Sequence, residues 1–233
     1  MTELFTPAET VLNHCITSIF TNPDYTGVQV SRHALARTDP DGSQLLRSLD
    51  QLGYECPPRD DLAGGLVRWR RLDLTWRSTR NRHVGGEIGL RYLGDVIPLG
   101  TPKGWAPELA AMGLLPFDRL ERGGTGRTAA LRLRTGHPAQ LWFRDAAQAR
   151  PVRLDCDLSG YITALCLTRG VYGWQYLFAD IDLDDPRYAA MGDAITAGLE
   201  AVATAHPRDD LGVLWQRLAS RSRSRRGSAP SAT

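Results

Sequence analysis

Three consecutive runs between residues 128 and 155 alternate apolar and polar side chains with a period of two. The apolar members are Leu131, Leu133, Leu141, Phe143, Val152 and Leu154. Successive side chains of a β-strand point to opposite faces, so this period places the apolar members on one face and the residues between them on the other. Short turns that contain glycine, proline or polar residues separate the runs. The pattern therefore predicts three antiparallel strands joined as a meander.

A glycine run, "GGTGRT" at residues 123–128, precedes the first of these strands and invites comparison with a phosphate-binding loop. A Walker loop needs a glycine, four further residues and then Gly-Lys-Ser/Thr at the start of a helix, because the lysine and the helix N-terminus hold the phosphates. Here Glu121 stands at the first glycine position, Arg127 replaces the lysine, and a strand pattern follows. The run is therefore predicted to be a turn between strands.

The first seventy residues carry helical patterns. Residues 7–20 and 41–52 have apolar side chains at helical spacing. A third predicted helix begins at Asp60 or Asp61, either of which is a suitable cap. Its apolar face consists of Leu62, Leu66 and Trp69.

The rest of the chain alternates between strand and helix patterns. Residues 85–92 predict a half-buried strand, and residues 105–113 predict a short helical turn before the extended run 114–117. The elements predicted after the meander are a helix at 157–169, an apolar, aromatic strand at 170–183, a helix beginning at Asp184, and a helix at 208–220.

The composition is that of an ordinary globular protein, with 42% hydrophobic and 23% charged residues. A chain of 233 residues buries about 70–75% of the surface that its unfolded form exposes, so it needs no disulfide or metal in order to fold. Residues 1–20 lack the basic n-region and the long apolar h-region of a signal peptide. No stretch reaches the roughly 18 apolar residues that span a bilayer. The sequence therefore predicts a cytoplasmic protein without a membrane partner.

The formal net charge of +2 hides an asymmetry along the chain. The last seventeen residues hold no acid and five arginines, which are Arg217, Arg221, Arg223, Arg225 and Arg226. Residues 1–216 therefore carry 2 − 5 = −3. Residues 221–233 have no large apolar side chain and are predicted to form a disordered basic tail. Five charges predict, at most, weak and salt-sensitive binding to nucleic acid.

No residue pattern predicts catalysis, a cofactor or a metal ion. The four cysteines, Cys15, Cys56, Cys156 and Cys166, show neither a C-x-x-C pair nor zinc-ligand spacing. The five histidines are isolated and sit in no recognisable nucleophile motif. The acidic run that begins at Asp180 lacks the bidentate glutamate of a calcium loop, since Met191 stands at its twelfth position. The chain is therefore predicted to be a non-enzymatic protein with no catalytic, cofactor-binding or metal-binding residues.

Residues 68–82, "RWRRLDLTWRSTRNR", interleave arginines with Trp69 and Trp76. Basic and aromatic side chains together bind single-stranded nucleic acid through phosphate contacts and base stacking. A nucleic-acid-associated module that uses this segment and the basic tail is therefore one functional hypothesis. The same pattern also fits tryptophans in a core and arginines in solvent, so both interpretations stay open.

The order of elements resembles that of the SUKH superfamily, the Smi/Knr-like proteins. The resemblance runs from "ECPPRDDLAGGLVRW" through "GGEIGLRYLGDV" and "LLPFDRL" to the strands "ALRLRTG", "QLWFRD" and "PVRLDCD" and the helix "LSGYITAL". It covers roughly residues 50–168, and "GGEIGLRYLGDV" and "LLPFDRL" carry most of it.

The resemblance implies an α+β fold in which a twisted, mainly antiparallel sheet is flanked by helices. Residues 49–168 would form the SUKH-like domain, with 1–48 as an N-terminal helical extension and 169–220 as a C-terminal strand and helices packed on the same domain. The resemblance also implies a non-enzymatic protein-binding role. Many bacterial members of the family look like immunity proteins that neutralise a cognate toxin domain.

The meander supplies candidate residues for binding a protein partner. The residues on the non-apolar phase of its strands are Arg132, Arg134, Trp142, Arg144 and Arg153. They are predicted to line one face of the sheet, and arginine and tryptophan are the residue types enriched at binding hot spots. A solvated face, or a face covered by the C-terminal helices, would show the same pattern, so these alternatives also stay open.

Overall fold

The computed structural model describes residues 5–36, 42–51, 65–99, 107–120, 124–134, 137–145 and 150–222. Within these residues, seven strands form one sheet in chain order, and every neighbouring pair is antiparallel. The strands are β1 Tyr25–Arg32, β2 Arg71–Ser78, β3 Gly85–Arg91, β4 Leu114–Asp118, β5 Thr128–Arg134, β6 His137–Arg144 and β7 Val152–Arg153. The meander predicted from the alternating runs is confirmed as β5, β6 and β7.

Helices flank this sheet, so the predicted α+β fold is confirmed. They are α1 Pro7–Thr21, α2 Ser43–Gln51, α3 Leu93–Leu99, α4 Pro107–Ala110, α5 Leu158–Leu167, α6 Ala189–Ala205 and α7 Gly212–Arg221, together with a 3₁₀ helix at Trp174–Leu177. Helix α1 begins with a capping box, in which Thr6 Oγ1 accepts from the Glu9 backbone N–H and Glu9 Oε2 accepts from the Thr6 backbone N–H. None of the described helices is long and apolar enough to cross a bilayer.

The main core lies on one side of the sheet, which we call the inner face. Alternate residues of the strands point into it, including Leu74, Trp76, Ile88, Leu131 and Phe143. Apolar side chains of α1, α2, α5, α6, α7 and the 3₁₀ helix belong to the same cluster, which runs from Ala8 to Leu218. The first and last described helices therefore share one core with the sheet.

The junction between β3 and β4 is the weakest pairing in the sheet, with Leu90 and Asp118 as its one register pair. Residues 170–172 fill the rest of the β3 edge. Glu87 N–H donates to the Gly170 carbonyl at 2.8 Å, and Tyr172 N–H donates to the Gly85 carbonyl at 3.1 Å. The segment that leaves α5 thus completes the sheet where β4 turns away from β3.

The strand predicted at 170–183 is wrong. Gly170 and Gly173 have positive φ angles of 68° and 79°, which break an extended run. Residues Trp174–Leu177 instead form a buried 3₁₀ helix, and Val171 and Ala179 each make one isolated β-bridge. Their apolar, aromatic character reflects burial rather than strand geometry.

Two further differences concern the N-terminal third. Strand β1 was not predicted, because as an edge strand it exposes most of its side chains and shows no clear alternation. It lies within the segment expected to be a helical extension and pairs along its length with β2. Trp69, expected on a helix, forms a β-bridge with Leu35. Leu62, on the same predicted helix, lies outside the described residues.

Candidate functional site

The strand register brings four of the five predicted partner-binding residues onto one surface. Trp142 pairs with Ala130 of β5 and with Arg153 of β7, and Arg144 pairs with Thr128. Directly paired residues of antiparallel strands share a face. Arg132, two residues from Ala130, therefore lies on the same side. We call this side of β4–β7, opposite the main core, the outer face.

The fifth residue, Arg134, lies at the end of the outer face. It pairs with His137, beyond an irregularity in the β5–β6 register that follows Arg132. Arg134 and Arg153 are exposed, whereas Arg132, Trp142 and Arg144 are half-buried. Four of the five predicted residues thus form one surface with a partly buried centre, and Arg134 lies beyond the irregularity at the end of β5.

The centre of the outer face is a contact between an arginine and an aromatic ring. The guanidinium carbon of Arg132 lies 5.2 Å from the ring centroid of Trp142, within the range of a cation–π interaction. The indole Nε1–H of Trp142 is buried and has no hydrogen-bond partner among the described residues. The ring therefore contributes packing and a flat surface rather than a polar anchor.

Helix α4 covers the β4–β5 part of the outer face. Leu109 of α4 packs with Leu114 and Ala130 in a small second cluster, and Trp142 borders it. Arg144 forms an ion pair with Glu108 of the same helix. The pKa of Glu108 is lowered, first by a hydrogen bond to its own backbone and then by Arg144. The buried residues of α6 and α7 belong to the main core instead, so α4 is the element that shields this face.

Three of the predicted arginines form no ion pair with a described carboxylate. No carboxylate among the described residues pairs with Arg132, Arg134 or Arg153, although Arg144 is neutralised by Glu108. The uncovered part of the outer face is therefore a positively charged surface arranged around one half-buried tryptophan ring.

The basic segment 68–82 has a different environment. Trp69 and Trp76 are only 5% and 0% exposed, and the Trp76 indole N–H donates to the Arg169 carbonyl at 2.7 Å. Arg68 is buried in an ion pair with Glu9, with Nη2 and Oε2 2.8 Å apart. Both tryptophan rings are therefore part of the core and offer no face on which a base can stack.

Residues 124–127 of the glycine run lie in the connection between β4 and β5, as predicted. Gly126 has a φ of 82°, and β5 rather than a helix begins at Thr128. Arg127, at the position of the Walker lysine, donates from Nε to Asp145 Oδ2 at 2.8 Å, and Tyr176 donates to the same oxygen at 3.1 Å. Its guanidinium is held inside the protein and is not directed at a ligand.

The sequence did not identify the residues of α4 that cover part of the outer face. Residues 105–113 were correctly predicted to contain a helical turn, but four helical residues carry no signal of where they dock. The positions of Glu108 and Leu109 over β4–β5 follow only from the three-dimensional structure. Elsewhere in the described part of the chain, no group of three or more His, Cys, Asp or Glu side chains is arranged to hold a metal ion.

No protein-family model matches this chain, and neither a curated protein nor a solved structure shows significant similarity to it. The case for a function therefore rests on the outer face itself.

Proposed function

We propose that this chain is a non-enzymatic protein-binding module of the SUKH immunity type, which neutralises a cognate bacterial toxin in the cytoplasm. The observation that supports the proposal is the outer face. Arg132 lies against the half-buried ring of Trp142 and Arg153 pairs with Trp142 across the sheet, and neither arginine has a carboxylate partner among the described residues. The bound surface of the toxin is expected to be acidic.

The residue types suit recognition of a protein surface. Arginine pairs with carboxylates through two parallel hydrogen bonds, and its charge accelerates the encounter with an acidic partner. Tryptophan buries a large area with little loss of side-chain entropy, which makes it an effective anchor. Because Arg132 already rests against Trp142, part of the cost of ordering its side chain is met before the partner arrives.

The alternative function, a nucleic-acid-associated module, loses one of its two supports. It required the tryptophans of segment 68–82 to stack on bases, and Trp69 and Trp76 are buried. Arg217 and Arg221 of the basic C-terminal region pair with Asp155 at 2.8 and 3.3 Å. The alternative then depends on the arginines beyond residue 222, which lie outside the described residues. If the intact chain had no measurable affinity for single-stranded DNA or RNA at low salt, the nucleic-acid alternative would be excluded.

The direct test of the proposal is protection from a toxin. The chain is co-expressed with the C-terminal toxin domain of a large secreted protein encoded next to its own gene, and growth is measured. We expect restored growth with the wild-type chain and with the control variant Arg82→Glu, which reverses an exposed charge on the β2–β3 turn. Loss of protection is expected for the double variant Arg132→Glu/Arg153→Glu. Absence of protection by the wild-type chain would overturn the toxin-specific proposal.

A further inference from the structure

A cavity of ≈ 400 Å³ lies between α1 and α5, away from the outer face. Its lining includes His14, Cys15, Ser18, Cys166, Arg169 and Asp209. Val11, His14 and Thr163, which also line it, are exposed to solvent. The cavity is therefore open at the surface, and a small solute can reach the groups at its base.

Two free cysteines, Cys15 and Cys166, line this cavity, although 151 residues separate them along the chain. Cys15 Sγ of α1 lies 3.7 Å from the backbone carbonyl oxygen of Cys166 on α5. The two helices pack directly against each other. Both side chains are nearly buried, so the cavity is the route by which a reagent reaches them.

A strained arginine stands beside the thiols. Arg169 has a φ of 54°, the one positive φ among the described non-glycine residues, in a region of backbone conformation that favours glycine. Its buried guanidinium donates from Nη1 to the Cys166 carbonyl and from Nη2 to Asp209 Oδ2 at 2.6 Å. The third donor, Nε, is buried and has no partner in the described part of the chain. These contacts hold a positive charge next to both sulfur atoms.

The environment gives the two thiols different chemistry. The pKa of Cys15 is lowered, first by a hydrogen bond from the Cys166 side chain and then by the charge of Arg169, which together outweigh burial and the charge of Asp209. The pKa of Cys166 is raised by the same hydrogen bond and by burial. Because the thiolate is the nucleophilic form of cysteine, these directions favour Cys15 over Cys166 as the attacking sulfur.

We propose that Cys15 and Cys166 form a peroxide-reactive thiol pair, with Cys15 as the attacking sulfur and Cys166 as the resolving one. In the first step the Cys15 thiolate attacks one oxygen of hydrogen peroxide, an S–O bond forms, the O–O bond breaks, and the leaving hydroxide takes up a proton as water. In the second step the Cys166 sulfur attacks the Cys15 sulfenic acid, an S–S bond forms, and the S–O bond breaks with loss of a second water. Two thiols and one peroxide thus give one disulfide and two waters.

The disulfide would covalently join the N-terminal helix to α5. It would be reversed by a dithiol reductant, which is itself oxidised to a disulfide as the two protein thiols are restored. This chemistry is independent of partner binding through the outer face, because none of the outer-face residues lines the cavity.

The test uses the intact folded chain. It is treated with hydrogen peroxide in native buffer, the remaining thiols are alkylated without reduction, and the digest is analysed by mass spectrometry. We expect one disulfide-linked peptide pair, Cys15 with Cys166, which dithiothreitol removes. The control variants Cys156→Ser and Cys56→Ser should give the same product. Full alkylation of Cys15 and Cys166 after peroxide treatment, or linkage of either to another cysteine, would overturn the proposal.

The order of attack is tested by trapping the sulfenic acid with dimedone. In Cys166→Ser, Cys15 has no resolving partner and is expected to carry the dimedone adduct. In Cys15→Ser, Cys166 is expected to remain unlabelled under the same conditions. Equal labelling of the two variants would contradict the assigned roles, and circular dichroism of each variant verifies that it is folded.

Discussion

The guanidinium carbon of Arg132 lies 5.2 Å from the ring centroid of Trp142, although the two residues are not opposite one another in the sheet. Arg132 pairs with Gln140, and Trp142 pairs with Ala130, so the contact is diagonal across β5 and β6. Diagonal neighbours are within reach of long and aromatic side chains. The contact holds in place on the outer face a guanidinium that no described carboxylate pairs with, and such a fixed charge suits recognition of an acidic surface.

The Trp142 ring is expected to matter for stability through its packing and not through its indole N–H. We predict that Trp142→Ala lowers the free energy of unfolding by about 2–4 kcal/mol, because it removes packing against Leu109, Leu114 and Ala130. Trp142→Phe keeps an aromatic ring and removes a buried donor that has no partner in the described residues, so its cost should stay below about 1 kcal/mol. Urea denaturation measures the free energy of unfolding of both variants. If Trp142→Phe and Trp142→Ala lost the same free energy of unfolding, the result would show that the indole N–H of Trp142 is hydrogen-bonded.

Asp118 predicts a specific pH dependence of stability. Burial raises the pKa of this carboxyl to about 6, even though Tyr161 Oη donates to Oδ2 at 2.6 Å and the Gly89 N–H donates to Oδ1 at 2.7 Å. A carboxyl whose folded pKa exceeds its unfolded value of 3.8 binds its proton more tightly in the folded state. Stability contributed by this group is therefore present below pH 4 and is lost as the pH rises to about 6.

The variant Asp118→Asn isolates that contribution. A shift of roughly two pKa units corresponds to about 3 kcal/mol. Between pH 4 and pH 7, the stability of Asp118→Asn relative to wild type should therefore improve by about that amount, because the amide does not ionise. The measurement is urea denaturation of both proteins at several pH values. A difference between them that does not change with pH would show that Asp118 titrates normally.

Breaking the ion pair between Glu9 and Arg68 is expected to lower the free energy of unfolding substantially. Both side chains are nearly inaccessible, and Glu9 also closes the capping box of α1. Removing Glu9 takes away the carboxylate that pairs with a nearly inaccessible guanidinium, so Glu9→Ala should lower the free energy of unfolding by about 3–5 kcal/mol. Thr17→Ala, at an exposed position of the same helix, is the matched control and should change it by less than about 0.5 kcal/mol. A small effect of Glu9→Ala in thermal or urea unfolding would contradict the assigned role.

Gly89 is expected to be indispensable at the β3–β4 junction. A Cβ atom there would lie 2.2 Å from the Arg119 carbonyl carbon, while the Arg119 N–H donates to the Gly89 carbonyl at 2.8 Å. Gly89→Ala should therefore destabilise the fold by more than about 2 kcal/mol. Gly192→Ala, on α6, has its nearest neighbour at 3.7 Å and should be neutral or stabilising by about 0.5–1 kcal/mol. Gly89→Ala should lower the melting temperature, whereas Gly192→Ala should leave it unchanged or raise it. An unchanged melting temperature for Gly89→Ala would contradict the close approach.

The parts of the fold that followed from the sequence are those whose period reports burial directly. The leucines of β5 and β6 alternate because one face of each strand is buried, so the strands and the shared face of Arg132 and Trp142 could both be predicted. Strand β1 could not be predicted, because an exposed edge strand shows no alternation of apolar and polar residues. The prediction of a strand at 170–183 was wrong because a fully buried 3₁₀ helix is as apolar as a buried strand.

The cover over the outer face and the thiol pair could not be predicted for another reason. Glu108 reaches Arg144, and Cys15 reaches Cys166, only through the packing of elements that are far apart in the chain or too short to carry a pattern. Arg169 adopts a conformation that glycine usually takes, which no local pattern of its sequence indicates. Such residues are recognised from the fold and not from spacing.

The central claim is that the uncovered outer face binds an acidic protein surface, and affinity tests it most directly. The binding partner in this test is the toxin domain of the proposed co-expression experiment, and Kd is measured by isothermal titration calorimetry at low and high salt. We predict that Arg132→Glu/Arg153→Glu weakens binding by about 10–100-fold without changing the melting temperature, and that the salt dependence falls. Arg82→Glu should leave Kd within about two-fold of wild type. An unchanged Kd for the double variant would show that the outer face is not the interface.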